Sequence, residues 1–150
     1  MGINEIPPGY TAVNAEVEFY ITHDDTSKLD ISLLSVDDSF ELVDGEGTGS
    51  NFGECDYDMT KIFDAGLYTF EGHDNPFDDS EGYKPMDNRT FNSFMQNYNL
   101  WNSTFALDIY SSGCYGKLHK WELKLQVCKT SLGRVKRVPT SYLQKYGLSN

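Results

Sequence analysis

The chain lacks most of the features that make a sequence easy to assign. No stretch approaches the roughly 18 uninterrupted apolar residues of a membrane-spanning helix, so none reads as a membrane span. The three cysteines, Cys55, Cys114 and Cys128, are odd in number and irregular in spacing. That pattern fits neither a disulfide framework nor a C-x-x-C zinc site, and it predicts free thiols. The three histidines, His23, His73 and His119, lie too far apart for an H-x-x-x-H metal pair. There is no G-x-S-x-G elbow, no phosphate-cradling G-x-x-x-x-G-K-S/T loop and no dinucleotide fingerprint. A Ser/His/Asp triad assembled in space ignores chain order, but 14 aspartates and many serines offer one by chance. His23 reads instead as a structural residue at a strand end, and the chain as no enzyme. The opening MGINEIPPGY has no basic n-region and no apolar h-region, which predicts no secretory signal and a chain complete from Met1. Ile6 stands where a myristoylation motif requires Ser or Thr. Localisation stays unassigned.

Positive charge is scarce too, and it is unevenly placed. Twelve Lys and Arg face 23 Asp and Glu, a net charge of −11 that repels nucleic acid and anionic membrane from the body. Residues 1–128 hold every acid and a net −16, whereas residues 129–150 hold five basic residues and no acid. An acidic body thus ends in a basic C-terminal arm. The 150 residues suffice for one domain that buries about two-thirds of its unfolded surface without metal or disulfide staples.

What the chain has in quantity is alternation with period two, which sends successive side chains to opposite faces of a strand. Val17, Phe19 and Ile21 alternate with Glu16, Glu18 and Tyr20. Leu29, Ile31 and Leu33 follow a polar turn, and Phe40, Leu42 and Val43 make a third run. Near the end Phe105, Leu107 and Ile109 form one run, and Trp121, Leu123, Leu125 and Val127 another. Gly113–Gly116 joins these last two at hairpin distance. The glycine-rich stretch Asp44–Glu54 reads as a long loop. In the harder middle, Arg89–Tyr98 predicts one or two helical turns, with Phe91, Phe94 and Met95 on one face. Short strands without long helices predict a sandwich of antiparallel sheets over residues 1–128.

Residues 129–150 read differently. They show no sustained alternation, Pro139 blocks a central strand, and Ser141–Tyr146 suggests a helical turn capped by Thr140 or Ser141. Two readings stand side by side. One is a solvated extension. The other is an arm docking on a neighbouring subunit through Arg134, Lys136, Arg137, Tyr142, Leu143 and Tyr146.

Several segments together resemble a known family. Ile21–Ser35 (ITHDDTSKLDISLLS), Lys61–Ala65 (KIFDA), Asn75–Met86 (NPFDDSEGYKPM) and Trp101–Val127 follow, in order, the motifs of the P domain, or P/Homo B domain, of subtilisin-like proprotein convertases and related bacterial proteases. The turn glycine of the family's G-D-L is absent, since Ser27-Lys28-Leu29 stands there. The resemblance implies an all-β, jelly-roll-type β-sandwich of about eight antiparallel strands without catalysis of its own, followed here by a short irregular or partly helical C-terminal arm. It also implies calcium-binding loops. Calcium takes hard oxygen ligands on flexible loops, and Asp74, Asp78, Asp79 and Glu81, with Asp64 nearby, are the first candidates. Asp24 and Asp25 with Asp30, and Asp37 with Asp38, are rivals. The plainer reading is that these acids solvate loops. Tyr57, Tyr68, Tyr83, Tyr98, Tyr110 and Tyr115 exceed what one core readily absorbs and suit a recognition surface.

The expectation is therefore a non-catalytic structural or attachment subunit of a larger protein assembly, of which a virion is one example. The alternatives are an accessory domain stabilising a secreted or periplasmic subtilisin-like protease, and a carbohydrate- or receptor-binding module.

Overall fold

A computed structural model describes residues 6–98, 100, 103–113 and 115–129, and the backbone of 142–147. The alternating runs become strands: β1 (Tyr10–His23), β2 (Leu29–Leu34), β3 (Ser39–Asp44), β4 (Thr60–Phe63), β5 (Ala106–Ser111) and β6 (Gly116–Lys129). A seventh, β7 (Tyr142–Gly147), comes from the basic segment. The larger sheet has the order β4-β1-β6-β7 and the smaller β3-β2-β5, every neighbouring pair antiparallel. The first strand pairs with the sixth and the second with the fifth, the winding expected of a jelly roll. Residues 10–129 contribute three strands to each sheet and β7 extends one, so the described residues form seven strands, where about eight are expected.

The two 14-residue strands β1 and β6 pair over nearly their whole length and form the spine of the fold. Val17, Phe19 and Ile21 from β1, and Leu123, Leu125 and Val127 from β6, point inward and are buried. Across the sandwich they meet Leu29, Ile31, Leu33, Phe40 and Leu42. Trp121 pairs with Phe19 in register and keeps only 6% of its surface. Leu107 and Ile109 are half-buried, because β5 is the outer strand of its sheet and no strand among the described residues covers that side.

The predicted helical turns form α1 (Phe91–Gln96), started by Thr90, whose hydroxyl accepts from the Ser93 amide at 3.1 Å. Phe91, Phe94 and Met95 are all buried, with Phe91 stacked on Phe40 and Phe94 tilted against it. Sequence alternation did not reveal β4, four residues long and hidden among turns.

The C-terminal segment departs from the expectation. It is neither irregular nor helical over Tyr142–Gly147, which pairs with Glu122–Val127 of β6. An isolated helical turn fixes several residues for one hydrogen bond, whereas the open edge of β6 supplies a ready row of backbone partners. Pro139 precedes this strand in sequence and lies outside the described residues.

Beside the sheets, the long loops pack a second apolar layer of Phe52, Phe70, Phe77 and Tyr83, with ring centroids 4.8–5.1 Å apart for the pairs 52–77, 70–77 and 70–83. Asn75 ties these loops together. Its Oδ1 accepts from the Gly49 amide, and its Nδ2 donates to Thr26 Oγ1 and the Asn51 carbonyl, each at 2.9 Å. Gly47 must be glycine there, because a Cβ would lie 2.4 Å from Thr26 Oγ1 and the backbone is left-handed at φ +99°.

Candidate functional site

The one histidine–serine pair in the described residues lies where β1 ends and β5 turns into β6. His23 Nε2 is 3.0 Å from Ser111 Oγ, and the Asp25 amide donates to His23 Nδ1 at 3.1 Å. A neutral imidazole whose Nδ1 accepts must carry its proton on Nε2, and so donates to Ser111. A general base needs the opposite arrangement, with a lone pair facing the hydroxyl and a carboxylate on the far nitrogen. The pair is built as a structural lock. Gly116 closes it from the side, since a Cβ there would meet the His23 ring at 2.5 Å.

The outward face of the larger sheet carries an ion-pair ladder. Glu18 and Glu122 stand directly opposite each other and are both buried. Lys124 bridges Glu18 and, at 3.3 Å, Glu16, while Lys120 holds Glu122 at 3.2 Å. Burial works against the Lys124 charge, yet its bond to Glu18 holds its pKa above the usual lysine value. Burial raises Glu16, and the neighbouring Glu18 adds to the rise. Two lysine charges are thus interleaved with three carboxylates.

The acids nominated for calcium separate in space. Asp64 accepts from the Phe91 and Asn92 amides and caps α1. Asp79 accepts from the Glu81 amide at 3.0 Å, and Glu81 accepts from the Tyr68 hydroxyl at 3.3 Å. Asp74 is exposed on the same loop. Asp78 alone joins a cluster, with Glu54 and Asp58, one carboxylate oxygen of each lying within 4.8 Å of the others. Glu54 and Asp58 come from the preceding loop, which the sequence placed far from Asp78. Among the rivals, Asp25 caps the short 3-10 turn Thr26–Lys28, and Asp38 binds Arg89 at 2.6 Å. The six tyrosines divide as well. Tyr83 is buried, and Tyr98 accepts from Ser35 Oγ at 2.7 Å, whereas Tyr57, Tyr110 and Tyr115 are exposed.

The outward face of the smaller sheet differs in kind. Asp30 lies opposite Asp44 on one side and Tyr110 on the other, and Ser32 lies between Glu41 and Asp108. No lysine or arginine occupies an outward position of these three strands. Desolvation against the sheet, then Asp44, raise the pKa of Asp30. Desolvation, then Asp44, Asp87 and Asp30, raise that of Glu41. These strands thus present neighbouring carboxylates on one outward face. Its members escaped sequence reading because they meet only through strand register, although alternation already put Asp30 and Asp108 on outward positions. No family model, curated protein or solved structure matches the chain. The P-domain resemblance accordingly rests on the motifs themselves. Of the six nominated partner-binding residues, Arg134, Lys136 and Arg137 lie outside the described residues. Tyr142, Leu143 and Tyr146 take register positions opposite Val127, Gln126 and Leu123.

Proposed function

We propose that this protein is a non-catalytic structural or attachment subunit of a larger protein assembly, as a virion component is, and that it docks through the acidic outer face of its smaller sheet. The observation supporting this is the group Asp30, Glu41, Asp44 and Asp108, four carboxylates without an interleaved cation, in a chain whose residues 129–150 hold five basic residues and no acid. Charge complementarity of this kind sets partner choice and association rate more than raw affinity. The test is zero-length carbodiimide cross-linking of the native species, followed by mass mapping. Cross-links from these four carboxylates to lysines of other subunits are expected. A chain recovered only as a lone monomer, or cross-links that avoid the face, would overturn the reading. A serine protease among the partners would instead favour the accessory P-domain alternative.

A structural calcium ion belongs to the same proposal. Glu54, Asp58 and Asp78 offer hard oxygens at separations of up to 4.8 Å, about twice a Ca–O bond, so one ion can touch all three. They join the loop after β3 to the loop before α1, and a cation there would clamp the aromatic layer beneath. The thermal midpoint is expected to rise with added calcium and fall with chelator. An identical midpoint in both conditions removes the ion from the account.

A further inference from the structure

Three adjoining cavities, of about 540, 470 and 390 Å³, run across one end of the sandwich. Ser50 and Asn51 line both the first and the second, and His23, Tyr115, Gly116 and Lys117 line both the second and the third. They form one continuous trough. Its floor is the end of β1, where Thr22 and His23 pair with Lys117 and Gly116 of β6 on one side. On the other side Phe52 of the glycine-rich loop bridges to Ile21. Each section falls within the roughly 300–1,000 Å³ of small-molecule clefts, and three in a row suit a chain of linked units.

The hydrogen bonds at the floor decide what kind of chain. The backbone of the loop is already spent. The amides of Asn51, Phe52 and Gly53 donate to the carbonyls of His23, Ile21 and Pro76, and the Asn51 and Phe52 carbonyls accept in turn. A peptide strand laid there would find no row of backbone partners. Side chains remain. Asn51 Oδ1 accepts from the His23 amide at 3.0 Å, which fixes the side chain and leaves Nδ2 without a partner among the described residues. Ser50, Asp24 and Lys117 stand exposed along the same trough.

Amide and hydroxyl groups that give and take hydrogen bonds match sugar hydroxyls, which do the same. Asp24 and Lys117 share the middle section, so their charges offset, while the acidic body opposes an anionic ligand. Tyr115, 92% exposed, stands where the middle and third sections meet. The electron-rich face of such a ring stacks against the C–H face of a pyranose and orders only two side-chain torsions. The third section changes character. Ile21, Leu29, Ile109 and Leu118 give it apolar walls, which a polyhydroxyl ring leaves unmatched and a methyl group fills.

We infer that this trough binds a neutral, N-acetylated oligosaccharide, with one ring stacked on Tyr115 and an acetyl methyl in the apolar section. Asn51 Nδ2, Ser50 and Asp24 take hydroxyls of the neighbouring units, and Lys117 donates to the acetyl carbonyl. None of the four acids of the outer face lines the trough, so binding here stands whether or not that face docks a partner.

Backbone-amide NMR titration of the full chain tests it, with chitotetraose, lacto-N-tetraose, cellotetraose and sialyllactose as probes. At least one of the first two should bind with a dissociation constant of about 0.1–1 mM. Shifts should centre on Thr22–Asp24, Ser50–Asn51 and Tyr115–Lys117. Cellotetraose, which lacks the methyl, should bind about fourfold more weakly. Tyr115→Ala should weaken binding about tenfold. Asn51→Asp keeps the oxygen that accepts from His23 but loses the Nδ2 donor, and should also cost about tenfold. Tyr57→Ala removes an equally exposed ring outside the trough and should change nothing. Variant spectra that overlay the parent's beyond the trough establish that the variants are folded. Absence of shifts at millimolar chitotetraose and lacto-N-tetraose overturns the inference. So do tighter binding of sialyllactose, cellotetraose binding as tightly as the N-acetylated probes, and an affinity untouched by Tyr115→Ala or Asn51→Asp. Each of these leaves the docking of the acidic face standing. Cross-links that avoid that face while the titration succeeds overturn the docking alone.

Discussion

Replacing Phe52 with alanine is expected to cost about 3–5 kcal/mol of unfolding free energy, as for other fully buried phenylalanines. Phe52 has no exposed surface and touches three other rings: Phe19 at 5.7 Å, Phe70 at 6.1 Å and Phe77 at 5.1 Å. Its backbone exchanges two hydrogen bonds of 2.9 Å with Ile21, riveting the glycine-rich loop to β1. Collapse cannot fill the vacated space, because Phe70 and Phe77 are themselves held against Tyr83. Tyr57, a few residues along the same loop and 98% exposed, is the control. Its change to alanine should stay within about 0.5 kcal/mol, the usual range for surface positions. Urea unfolding of the two variants separates the cases, and comparable losses would show that the aromatic layer does not hold the loop.

The second large effect is expected from Asp87→Asn, and it should depend on pH. The Asp87 carboxylate accepts from the Arg89 Nε and backbone amide at 2.9 Å, and from the Glu41 amide at 3.0 Å. Arg89 in turn binds Asp38 and the Ser39 carbonyl, and its guanidinium lies over the Phe40 and Phe94 rings. One clamp therefore fastens the loop before α1 to the edge strand β3. The bond from the Arg89 side chain, outweighing partial burial, pulls the Asp87 carboxyl down from 3.8 to about 2. A depressed acid stabilises the fold fully above its unfolded value and loses that contribution as pH falls through its folded one. The shift corresponds to about 2 kcal/mol at neutral pH. The variant should thus be weaker than the parent at pH 7, with the difference closing below about pH 4 and gone near pH 2. Asp30 and Glu41 act with the opposite sign. Desolvation, with repulsion from neighbouring carboxylates, raises both, so protonation in mild acid relieves both costs and their contribution grows as pH falls. Chemical unfolding across pH reads both effects, and a gap between Asp87→Asn and the parent that is constant with pH would rule out the clamp as its source.

Much of the sandwich was legible before any coordinates, and the reason is local. A strand half in oil and half in water writes its geometry into adjacent residues, so Val17-Phe19-Ile21 and Trp121-Leu123-Leu125 announce their buried faces. The Thr90 cap of α1 is equally local, since it sits next to the turn that it starts, whereas the Asp64 cap comes from a distant loop. The strand β4 escaped because four residues hold too few alternations to stand out. Tyr142–Gly147 was misread for a different reason. Its sequence tolerates either conformation, and the bare edge of β6, far upstream in register, selects the strand.

Alternation and charge in the sequence alone determined that this chain makes two layers of antiparallel strands with an acidic exterior and a basic end. Those properties arise from neighbours along the chain and need no knowledge of who meets whom. Only the tertiary structure decided which acids share a surface. It grouped Glu54 and Asp58 with Asp78 and set Asp30 beside Asp44. It turned the His23 imidazole so that it donates to Ser111, and among the described residues it made β5 the outer strand of its sheet. Strand register and loop closure bring together residues far apart in sequence. Their outcome depends on the packing of the whole core, which no short window of sequence contains.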